Sequence, residues 1–117
     1  MRWGPILVVL VAVSGAQAHT FTSEEIAASL AAPAARVATG AERVTIAPGN
    51  ARVLLVEVGA RWYEFPPEER SALAAQWREA WRHAVPSGVV AVLDADTRSP
   101  VVRFAPGGDV VAVRAAR

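Results

Sequence analysis

Apolar side chains recur along residues 67–84 with the period of an α-helix. Leu73, Trp77, Ala80, Trp81 and Ala84 form one stripe, while Glu68, Ser71, Ala75, Arg78, Glu79 and Arg82 cover much of the other side. Pro66-Pro67-Glu68-Glu69 suits a helix start, because proline needs no donor in the first turn and acids oppose the helix dipole there. Pro86 and Gly88 end it. The pattern predicts one long amphipathic helix.

Before and after that helix the pattern changes to β-branched runs. Arg43–Ile46 and Arg52–Val58 flank Pro48-Gly49-Asn50, a hairpin signal. Val53–Val56 is continuously apolar, which predicts a strand buried on both faces over that stretch. Val89–Leu93, Val101–Phe104 and Val110–Arg114 follow, joined by Asp94–Ser99 and Pro106–Asp109. Gaps this short and turn-rich predict antiparallel neighbours among these three strands.

At the other end, Thr22-Ser23-Glu24-Glu25 reads as an N-cap followed by first-turn acids. A short helix near 23–31 is expected. An interior proline costs a helix about 3 kcal/mol, so Pro33 is expected to end it and leave a loosely structured, alanine-rich arm to Gly40. The predicted order is α-β-β-α-β-β-β. The expected fold is α+β, with the long helix laid on an antiparallel sheet so that Trp77, Trp81 and the valines are buried together. That order is broadly similar in layout to cystatin-like small secreted domains. Layout alone implies no activity.

The first residues have a different character. Arg2, the apolar run Ile6–Val13 and the small-x-small ending Ala16-Gln17-Ala18 are the three parts of a secretory signal peptide. The run is too short to span a bilayer, which takes about 20 residues. Residues 1–18 are therefore expected to be a signal peptide, 19–40 a short helix with an alanine-rich arm, and 41–117 a small α+β domain. The expected product is exported, to the periplasm or the medium, without a stable membrane anchor.

Composition narrows the chemistry. All 12 basic residues are arginine, against 11 acids. Loss of Arg2 with the signal would leave the rest near neutrality, which does not suit a nucleic-acid partner. There is no cysteine, so disulfides, thiolate zinc sites and thiol catalysis are excluded. Stability must come from packing or from a partner.

Few residues offer a function. If cleavage falls after Ala18, the amine and imidazole of His19 can chelate one metal ion, an arrangement suited to copper(II). Copper proteins with an N-terminal histidine brace resemble this chain at that one residue, and His83 is the only companion imidazole. His83 falls at a helix end, where histidine commonly faces solvent. Asp94-Ala95-Asp96 starts like a calcium loop, but Arg98 and Ser99 stand where a further oxygen ligand and the turn glycine belong. It reads as a solvated hairpin turn.

Trp62, Tyr63 and Phe65 lie in the Gly59–Pro66 connection and are the candidate ligand-binding residues, since aromatic clusters can line apolar sites. Trp62 is expected to be the more exposed ring. No acid pair, nucleophile elbow or phosphate loop points to catalysis, and no cofactor is implied. The expectation is an exported, non-catalytic binding or accessory domain. Its partner would be an envelope or extracellular protein, or a small apolar ligand. A copper-binding protein using His19 and a structural envelope-assembly domain are the alternatives.

Processing gives the first test. The intact mass of protein recovered outside the cytoplasm should match a chain starting at His19 or within a few residues of it. Full-length Met1–Arg117 in the membrane fraction would contradict the signal-peptide reading.

Overall fold

The computed structural model describes residues 20–114. The expected signal peptide and His19 lie outside the described residues. The fold is mixed α+β, in the order α1 (Ser23–Ala31), α2 (Pro33–Thr39), β1 (Ala41–Ile46), β2 (Val53–Val58), α3 (Ala60–Glu64), α4 (Pro67–Ala84), β3 (Val89–Asp94), β4 (Val102–Phe104) and β5 (Val110–Val113). The long helix α4 spans 18 residues, as its periodicity predicts. Among the described residues no helix is long and apolar enough to cross a membrane.

The main sheet has the order β1-β2-β3. β1 and β2 form the expected antiparallel hairpin. Its turn is closed by Asn50 N–H to the Ala47 carbonyl and Val53 N–H to the Asn50 carbonyl, with Gly49 at φ +80°. β2 and β3 pair in parallel, with Val56 opposite Val92. The chain between them is long enough for a crossover, and it contains α3 and α4. The sheet is thus mixed, with its one parallel pair made by the long helix itself. β4 and β5 form a separate antiparallel ribbon. The segment leading into it is tied to β3 by an antiparallel bridge at Leu93–Pro100 and by hydrogen bonds from Val101 N–H to the Val92 carbonyl and from Asp94 N–H to the Ser99 carbonyl.

Side-chain alternation gives the sheet two unlike faces. Val44, Val56 and Val92 make one cross-strand row, and Ile46, Leu54 and Val90 the next. All are buried except half-buried Ile46. On them pack Ile26, Ala27 and Leu30 of α1 and Leu73, Ala74, Trp77, Ala80 and Trp81 of α4. The opposite face carries Arg43, Thr45, Leu55, Glu57, Ala91 and Leu93, turned away from the core residues of α1 and α4. Val53 and Leu55 are therefore only half-buried, so the continuous run in β2 marks a central strand rather than one sealed on both sides.

The N-terminal segment is not a loose arm. Thr22 Oγ1 accepts from Glu25 N–H, and Glu25 Oε1 accepts from Thr22 N–H, a reciprocal cap that starts α1. Pro33 starts a second helix instead of ending order, because at the first helical position its missing donor costs nothing. Gly40 ends α2 at φ +83°, and a β-carbon there would sit 2.6 Å from the Trp62 backbone. Only glycine meets both demands.

Trp62 is the other correction. It is 0 % exposed, because α3 begins directly after β2 and folds the ring back onto α4. Its ring stacks on Trp77 with centroids 5.4 Å apart and planes 20° apart. Trp81, also fully buried, donates from Nε1 to the Arg52 carbonyl at 2.9 Å. Trp62 Nε1 has no hydrogen-bond partner, a penalty that the packing must outweigh.

Denaturant unfolding should show Trp62→Ala and Trp77→Ala each losing about 3–5 kcal/mol, the usual cost of deleting a buried large aromatic. The double variant should lose less than the sum, because both remove the same stack. A loss below about 1 kcal/mol for Trp62→Ala would contradict its place in the core.

Candidate functional site

The three aromatic candidates do not form an accessible site. Trp62 belongs to the core, and Phe65 is half-buried against it. Tyr63 is half-buried, and its hydroxyl donates to Asp94 Oδ2 at 2.5 Å. Asp94 stands at the C-terminal end of β3 and is 0 % exposed. Its Oδ1 accepts from Asp96 N–H at 2.8 Å and Thr97 N–H at 3.0 Å. This is a local turn held by an aspartate. The expected solvated turn therefore begins on a buried carboxylate, and Tyr63 serves as one of its donors.

His83 is exposed in the last turn of α4. Among the described residues no group of three or more His, Asp or Glu side chains is arranged to hold a metal ion. His19, the other half of the copper alternative, lies outside them.

The open space lies on the opposite side of α4 from its tryptophans. A groove of about 750 Å³ runs between that face and the β4–β5 turn. Ala72, Ala75 and Val110 give it apolar patches. Arg78, Glu79, Arg82 and His83 from the helix and Asp109 from the turn give it charge. Both elements are fixed from behind: α4 by its core stripe, and the turn by the ribbon's pairing and by Gly108 N–H to the Ala105 carbonyl at 2.8 Å. Arg82 Nε donates to the Pro86 carbonyl at 2.6 Å, closing the helix end. The side chains of Arg78, Glu79, His83 and Asp109 have no hydrogen bond or ion pair among the described residues.

A second crevice of about 240 Å³ lies where α2 meets β1 and α3. Its cations are already used. Arg36 donates to the Ala31 and Glu42 carbonyls, and Arg61 to the Val37 carbonyl. That crevice is a structural corner, so the groove along α4 is the candidate site.

Sequence periodicity shows Arg78, Glu79 and Arg82 on the polar side of the helix but cannot show what borders them. The groove needs Gly107–Asp109 folded back beside α4, a tertiary fact without a local signal. The Asp94 and Trp62 environments were hidden for the same reason. No protein-family model, curated protein or solved structure matches this chain.

Tyr63→Phe should destabilise the domain by about 1.5–3 kcal/mol in denaturant unfolding, since it removes a hydrogen bond to a carboxylate left buried. Unchanged stability would mean that the Tyr63–Asp94 contact is not part of the structural frame.

Proposed function

We propose that this is an exported, non-catalytic binding domain that engages a protein partner through the groove between α4 and the β4–β5 turn. The observation that carries the reading is the groove's lining. Five ionisable side chains of both signs border one depression, and among the described residues none of them is paired with another. Such groups are held apart in solution by water, and a partner with its own charges and backbone polar groups can replace that water.

The alternative occupant, a small apolar ligand, fits less well. Its natural contacts would be aromatic, and the rings nearest in sequence pack against Trp77, Asp94 and the core instead. A groove open to solvent and lined by charged side chains of both signs suits a polypeptide segment better than an enclosed apolar molecule.

Site-specific photocrosslinking in the native cell tests this. A photoreactive phenylalanine analogue placed at exposed Ala75, in the groove, should give a discrete protein adduct. The same analogue at exposed Ala28, on α1, should not. Equal labelling from both positions, or none from Ala75, would overturn the proposal.

A further inference from the structure

We infer that Arg78 is the groove's anchor for a carboxylate carried by the bound polypeptide. The inference rests on the groove being the binding face. Arg78 is set apart by its surroundings. Arg36, Arg52, Arg61, Arg70, Arg82, Arg98 and Arg114 each donate to a carbonyl, hydroxyl or carboxylate oxygen. Arg43 and Arg103 donate to none but are exposed on strands. Among the described residues Arg78 alone is both partly buried and without an acceptor.

It does have a close neighbour across the groove. The guanidinium lies against the bare backbone of Gly108, where a β-carbon would run into it. Gly108 has φ +108°, a conformation that side-chain-bearing residues rarely adopt. One glycine therefore shapes the turn and makes the seat for the guanidinium. A cation seated by packing loses less conformational freedom when a ligand arrives. Its planar fork matches the two oxygens of a carboxylate.

The neighbouring charges choose among anions. Arg78 and Arg82 are balanced in the lining by Glu79 and Asp109. A dianionic phosphate would be repelled by the two acids without enough cations to compensate. A single negative charge on a peptide satisfies Arg78, and the peptide's own donors can meet Glu79 or Asp109. The carboxylate can come from an acidic side chain or from a chain terminus.

The test titrates isotope-labelled protein with four Gly/Ser-based hexapeptides, followed by NMR at the Gly107 and Gly108 amides and Arg78 Nε–H. One carries an internal glutamate and an amidated end. One has no glutamate but a free C-terminal carboxylate. One has neither group, and one carries phosphoserine with an amidated end. Saturable shifts at Arg78 and Gly108 are expected with one or both carboxylate peptides, and which of them binds identifies the source. Arg78→Lys, which keeps the charge but loses the fork, should weaken binding about tenfold, and Arg78→Gln should abolish it, both with the wild-type amide fingerprint elsewhere. Equal shifts with the neutral peptide, unchanged affinity in Arg78→Lys, tighter binding of phosphoserine, or no saturable shift with either carboxylate peptide would overturn the inference. Crosslinking from Ala75 that survives in Arg78→Gln would remove the anchor while leaving the groove as the binding face. Loss of crosslinking in the wild-type chain would remove the groove itself.

Discussion

The stacked rings of Trp62 and Trp77 join α3 to α4 at the centre of the fold. α3 is a single short turn of helix with no side-chain cap, too short to be stable alone. It is held by Tyr63 bonded to Asp94, by Arg61 bonded to the Val37 carbonyl and, beside them, by the Trp62 ring stacked on Trp77. That contact also sets where Gly40 must pass, since the Trp62 backbone leaves no room for a β-carbon there. The end of α2, the start of β1 and the entry to α4 thus converge on one aromatic pair. A chain without disulfides and with total stability of about 5–15 kcal/mol depends heavily on such a pair.

From that pair the mixed sheet follows. α4 must lie across the inner rows of β2 and β3 to bury Leu73, Trp77 and Trp81, and a helix crossing a sheet returns the chain parallel to the strand it left. The Trp81 indole then donates to the Arg52 carbonyl just before β2, tying the far end of the helix to the hairpin. The outer face of the sheet is turned away from α4. There buried Glu57 of the central strand meets the exposed Arg98 at 3.2 Å, a pair screened on one side by solvent and worth about 1 kcal/mol.

What was legible in the chain divides along physical lines. α4, the Pro48–Asn50 turn and the run of short strands are governed by periodicity and turn chemistry, both local, and they stand where those signals place them. Pro33 misleads because the same residue breaks a helix from within and starts one at its first position. Only the preceding backbone, extended at Ala32 with ψ 145°, decides between these. Trp62 misleads because a connection between elements is usually exposed, whereas here it forms its own helical turn. The parallel pairing of β2 and β3 depends on where α4 docks, which no window of residues contains. For the site, the polar face of α4 was visible in the pattern, but its neighbour across the groove was not.

The two sides of α4 therefore carry different demands on one element. Its apolar stripe is answered by the core, and every ring on it is already in contact with another element. Its polar side is bounded by a turn whose glycine accepts the Arg78 guanidinium against bare backbone. Because the helix is immobilised from the core side, side chains on the groove side are presented at fixed positions without themselves contributing much to folding. Substitutions at Arg78, Glu79 or His83 thus change the charge of the groove at little cost in stability, while those at Trp77 or Trp81 act on the core. A rigid helix with one committed face and one uncommitted face is a suitable support for recognition in a domain this small.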